Sequence, residues 1–246
     1  EMNDRLEELK RRINAGNQKK YRKSESLNLL QELEAENLTW MKRVSRLTIR
    51  QCEAEKPIIE DDEQVVFTRT LPVIIPDIYA PEEWERLIAG NTLHELGPIN
   101  NISPDWGKAL SRGLIGQRHT AVSSKLLYRE DPRALEFLDC AIETIDNVLD
   151  LVQRYVVEAR RQNRMDLAEV LEQVPANPPR TFREALQSLR ILHAVTCLIG
   201  HYQIGFGRFD QYMWPYLKAD LDGGRLDENE AADLLAEFFI SLNKDS

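Results

Sequence analysis

Between residues 132 and 163 apolar side chains recur every three or four positions: Leu138, Ala141, Ile142, Ile145, Val148, Leu149, Val152, Tyr155, Val156 and Ala159. Only an α-helix places such a series on one face. A helix of that length must bury a long stripe, so the rest of the chain has to supply helical partners. The remaining sequence offers them. Leu6, Leu9 and Ile13, then Leu27, Leu30 and Leu33, mark amphipathic segments broken near Gly16, and a third helix is expected over 38–55, with Trp40 and Met41 packing inward. Pro81 occupies a first-turn position ahead of another helix. Thr181 to Glu184 and Asp227 to Glu230 have the spacing of capping boxes, launching helices that carry Leu186, Leu189 and Leu192, and Leu234, Leu235, Phe238, Phe239 and Leu242. The best strand candidate is Val65 to Thr70, and Leu71 to Pro76 reads as extended chain interrupted by proline. The predicted class is mainly α with a few short strands. The chain reads as a helical segment over 1–56, a mixed strand, loop and helix segment over 57–131, and a second helical segment over 132–246.

Lys and Arg total 32 against 41 Asp and Glu, for a net charge of -9. That balance argues against nucleic acid or an anionic membrane as partner. No apolar run reaches membrane-spanning length, and the first residues lack a signal-peptide pattern. Cys52, Cys140 and Cys197 are scattered and odd in number, which fits free thiols in a cytoplasmic protein better than a disulfide framework. Neither terminus reads as a designed end, so the chain is expected to be a fragment or a truncated relative of something longer.

Two stretches carry candidate function. In the first, residues 201–216, Gly205 and Gly207 flank Phe206 and predict a bend or a close backbone approach. Arg208 and Asp210 stand two apart, on one side of the chain if it is extended, which predicts a structural ion pair. In the second, residues 97–106, Ser103 is placed to cap a helix that Pro104 opens, with Asp105 at its positive end. His193 and Cys197 lie four apart on a predicted helix and share a face, but without further ligands at metal spacing they read as core residues, and no metal site is expected. Cys140 lies beside the long stripe with nothing to activate it and reads as packing. There is no nucleophile elbow and no phosphate-cradling glycine loop.

The segment Gly-Arg-Phe-Asp-Gln-Tyr-x-x-Pro-Tyr at 207–216, preceded by Val-Pro-Ala-Asn-Pro-Pro-Arg-Thr-Phe-Arg-Glu-Ala-Leu-Gln-Ser-Leu at 174–189, resembles glycyl radical enzymes of the pyruvate formate-lyase type. The resemblance is strong from about Arg133 onward, fair over 102–116 and weak before that. It implies that residues 1–246 are the N-terminal part of a ten-stranded α/β barrel wrapped in helices, with the first barrel segment falling within 132–246. It also implies a thiyl cysteine and a glycyl radical on loops whose signatures do not occur in these 246 residues. No catalytic residue, and no directly bound cofactor, is therefore expected in this chain itself. By the same resemblance His201, Asn101, Tyr202 and Asp105 are the substrate-contact candidates. Asn101 stands where many eliminating members carry a His, and Tyr202 where they carry a small hydroxyl residue. The implied partners are a small-molecule substrate, a radical-SAM activating enzyme and a second copy in a homodimer. The alternative reading is a non-catalytic helical protein that binds or stabilises a partner.

Overall fold

The computed structural model describes residues 3–91, 102–201 and 203–245. Ten α-helices lie among them: α1 Asp4–Asn14, α2 Leu30–Ala35, α3 Trp40–Ala54, α4 Pro81–Ala89, α5 Trp106–Leu127, α6 Pro132–Arg161, α7 Met165–Gln173, α8 Phe182–Leu198, α9 Phe209–Asp222 and α10 Glu228–Ser241. The helix predicted over 132–163 is α6, opened by Asp131, whose carboxylate accepts from the Arg133 and Ala134 amides. Its stripe packs against α3, α5 and α7.

The molecule is organised around α8. Of its 17 residues, 14 are buried, on every face, as befits a helix enclosed by others rather than lying on a surface. One side joins a core with Val148, Leu151, Val152 and Tyr155 of α6, and Leu167 and Leu171 of α7. The other joins Trp106 and Leu110 of α5, Met213 of α9, and Leu234 and Phe238 of α10.

No strand occurs among the described residues, which corrects the expectation of short strands. Residues 65–71 are buried, and 66–70 form neither helix nor turn, in keeping with the β-branched sequence, but no second strand lies beside them among the described residues. Helix side chains take the partner's place. Glu237 accepts from the Gln64 and Val65 amides, and Gln187 both accepts from the Val66 amide and donates to its carbonyl. Arg190 donates to the Phe67 carbonyl, and Glu55 accepts from the amides of Thr70 and Leu71. Buried backbone must be paired, and here a single extended strap is threaded between helices whose polar side chains pair it.

Other departures are local. Trp40 is 57% exposed rather than packed, and Phe239 is 45% exposed. The Asp227–Glu230 capping box forms in both directions. At Thr181 only half of one forms: Thr181 caps the Glu184 amide, while the Glu184 carboxylate turns to the Arg180 amide and guanidinium. No described helix is long and apolar enough to cross a membrane.

Candidate functional site

The two stretches singled out in the sequence meet. The Gly205 amide donates to the Ile102 carbonyl at 2.8 Å, and the Gly205 carbonyl accepts from Trp106 Nε1 at 2.8 Å and from Ser103 Oγ at 3.3 Å. Tyr212 returns its hydroxyl to the Phe206 carbonyl at 2.8 Å, and burial pushes that phenol above its usual range. The predicted close approach is present, because a Cβ on Gly207 would meet Ser103 Oγ at 3.0 Å. Between the stretches lies an open cleft of about 290 Å³ walled by Ser103, Asp105, Trp106, Phe206, Arg208 and Tyr212. Its lining mixes aromatic rings with polar and charged groups, a combination that suits a small organic molecule with a few polar groups.

Each candidate residue has a defined place or lies outside the described residues. His201 is half-buried at the end of α8. Gly200, at φ 95°, closes that helix by a Schellman turn in which the Gly200 amide donates to Cys197 O and the His201 amide to Thr196 O. The left-handed residue explains the glycine immediately before His201. Asp105, rather than Ser103, is the cap of α5, accepting from the Lys108 amide at 3.0 Å. Ser103 is drawn instead to Gly205, so the helix begins at Trp106. Asn101 and Tyr202 lie outside the described residues.

The expected ion pair between Arg208 and Asp210 is not formed. Both are exposed, and among the described residues neither has a salt-bridge partner. The reason is local structure. Arg208 is the N-cap of α9 and Asp210 lies in its first turn, and residues two apart in a helix point to different sides. Sequence reasoning missed Trp106 and Tyr212, which pin the cleft wall through backbone carbonyls. Their signal is an aromatic residue carrying a polar tip inside each stretch.

The buried ionic cluster lies behind the cleft. Arg190 forks onto both oxygens of Asp245 at 2.7 and 2.8 Å, and His193 Nδ1 lies 3.3 Å from Asp245 Oδ2. The His193 ring also stacks on Phe206, with centroids 5.2 Å apart. Burial alone would raise the Asp245 carboxyl, but the charge of Arg190 and the hydrogen bonds from His193 and Arg190 outweigh it and hold the group at about 2. The three cysteines line neither cleft. Burial pushes the Cys52 and Cys197 thiols up to about 12, and raises Cys140 as well. A second cleft, about 520 Å³, is bordered by Arg180, Arg183 and Arg225. Each of these is matched to an acid, Glu184, Asp166 and Asp220 respectively, so none of the three arginines is left over to hold an anion.

The family model described as pyruvate formate lyase-like matches residues 77–245. The chain belongs to that family. Isethionate sulfite-lyase of Oleidesulfovibrio alaskensis is 27% identical over 156 residues, which are 56% of this chain and 19% of that protein. The glycyl radical subunit of 4-hydroxyphenylacetate decarboxylase of Clostridioides difficile is 27% identical over 123 residues, 44% of this chain and 13% of that one. Glycerol-bound B12-independent glycerol dehydratase from Clostridium butyricum superposes with a TM-score of 0.76 at 19% identity, over 99% of this chain and 40% of the dehydratase. That likeness establishes the shared fold. The chain thus spans less than a fifth of these curated relatives and two fifths of the dehydratase structure.

Proposed function

We propose that this chain forms the N-terminal wall of the substrate cavity of a glycyl radical enzyme that cleaves a C–C or C–heteroatom bond in a small organic substrate. The observation that carries the reading is the joining of residues 102–106 to residues 205–212 through Gly205, within the region that matches the family. His201, presented by the Schellman turn at the end of α8, is the substrate contact we assign, with Asn101, Tyr202 and Asp105 as neighbours around the same cavity. A histidine there can hydrogen-bond a substrate oxygen in either protonation state.

The chain's own 246 residues contain no Arg-Val-x-Gly-aromatic signature, and its three thiols are buried in helical packing. In this reading it positions substrate and performs no radical step by itself. The radical is installed by a radical-SAM activating enzyme on residues other than these, and the working assembly is a homodimer. The substrates of the relatives, among them isethionate and 4-hydroxyphenylacetate by name, define a starting panel of small hydroxylated and anionic compounds.

The test is turnover of that panel by the anaerobically activated protein from its native source, with and without His201→Ala. The expected result is one substrate consumed, with kcat/KM reduced on the order of 100-fold in the variant, the effect of losing a polar contact that strengthens in the transition state. Unchanged kinetics in His201→Ala would remove His201 from the cavity. Consumption of no compound by a protein that carries the radical would exclude this substrate class.

A further inference from the structure

The cluster at the C-terminal end of α8 holds an arrangement that the cleft does not use. His193 and Cys197 lie one helical turn apart on α8, and the chain returns after α10 to bring Asp245 beside them. The Nδ1, Sγ and carboxylate ligand atoms all lie within 4.8 Å of one another. His193 Nδ1 is 3.3 Å from Asp245 Oδ2 and 3.8 Å from Cys197 Sγ. One ring nitrogen therefore faces both the thiol and the carboxylate. That geometry is wrong for a Cys–His–Asp nucleophile, in which the two partners must sit on opposite nitrogens of the imidazole. It is right for three donors converging on one point. A tetrahedral zinc, with bonds of about 2.0–2.3 Å, holds such atoms roughly 3.3–3.6 Å apart.

We propose that His193, Cys197 and Asp245 form a three-ligand site for a zinc-like dication, with the fourth position open to water. A sulfur and an imidazole donor select a borderline-soft ion over calcium or magnesium. Arg190, forked on Asp245, orients the carboxylate from outside, as second-shell partners of metal ligands do. The three residues are 9%, 8% and 9% exposed, so the cluster is enclosed but keeps a small opening to solvent. Binding requires Cys197 to release its thiol proton to solvent and His193 to carry its remaining proton on Nε2. Arg190 and Arg69 flank the site, Arg69 through the carbonyls of Cys197 and Asp245. Their charges oppose a dication, and the new thiolate offsets one of them.

The experiment is an anaerobic cobalt(II) titration of the full chain after chelator treatment. One equivalent is expected to bind with a sulfur-to-cobalt charge-transfer band and the intense visible bands of a tetrahedral site, and zinc should displace it. The band should be lost in Cys197→Ser and in His193→Gln, with metal-free melting curves used to confirm that both variants fold. No band, or a band that persists in Cys197→Ser and so belongs to Cys52 or Cys140, overturns the site. Should either variant fail to fold, peptide-mapped alkylation of the unaltered chain decides. Zinc should slow labelling of Cys197 and leave Cys52 and Cys140 unchanged, whereas labelling of Cys197 that zinc does not alter overturns the proposal.

Discussion

Replacing Gly113 with alanine is expected to destabilise the chain by about 3–5 kcal/mol, a large effect for the addition of one methyl group. Gly113 interrupts α5 with φ 62° and ψ 170°, a region essentially reserved for glycine. The break serves packing. It frees the amides of Leu114 and Ile115 to donate to the carbonyls of Pro175 and Ala176, at 2.8 and 3.0 Å, so the second half of α5 is capped by the loop ahead of α8. A Cβ at Gly113 would lie 2.5 Å from Ala176 O and 2.7 Å from two backbone atoms of Asn177. Backbone cannot swing aside as a flexible side chain can, so the overlap adds to the dihedral cost. Gly116, one turn on, is the control. A Cβ there meets only Arg112 Cβ at 3.4 Å, and Gly116→Ala should be neutral or stabilising by up to about 1 kcal/mol, as for alanine in a helix interior. Urea unfolding of both variants separates the cases. Equal small effects would mean that the α5 break is not required by the fold.

Arg190→Leu is expected to cost about 3–5 kcal/mol, because it strips one partner from a buried ion pair and leaves the other charged. The Arg190 side chain is fully buried, between the Asp245 carboxylate, the Phe67 carbonyl and the face of the Phe67 ring, 5.5 Å from its guanidinium carbon. Its loss abandons both Asp245 and one carbonyl of the extended strap. The double variant Arg190→Leu, Asp245→Leu should recover part of that loss, because it removes both charges together. Unfolding free energies of the two single variants and the double variant give the coupling. Additive losses, or a single-variant cost below about 1 kcal/mol, would show that the pair does not hold the C-terminal turn against α8.

The helices were legible where their sequence period was strong. The 132–163 stripe, the restart at Pro81 and the Asp227–Glu230 box all describe interactions within one element, which a sequence displays directly. What escaped depends on pairs far apart in the chain. Val65 to Thr70 carries the composition of a strand, but nothing in its residues announces that Gln187, Glu237 and Glu55 would pair its backbone in place of a neighbouring strand. Gln187 and Arg190, polar residues inside the buried helix α8, are the strap's hydrogen-bond partners. The cleft was half legible. One wall is marked in the sequence by Gly205, Phe206 and Gly207 and the other by the helix start at Ser103, Pro104 and Asp105, whereas their meeting at Gly205 follows from the fold. Arg208 and Asp210 do not pair because α9 begins at Phe209, which turns an extended pair into helical neighbours that diverge. His193 and Cys197 share a face, as their spacing of four predicts, whereas Asp245, the third member of their cluster, lies 48 residues beyond Cys197.

The central claim is that this chain works as part of a glycyl radical enzyme. The most direct measurement is electron paramagnetic resonance of the protein from its native source after anaerobic treatment with a radical-SAM activating enzyme and its cosubstrate. The account predicts a glycyl doublet in that protein, quenched by oxygen, and no doublet when the 246-residue chain is treated alone. Absence of the doublet from the native protein, with an activating enzyme shown to be competent on another glycyl radical enzyme, would contradict the account and favour a non-catalytic role for this helical fold.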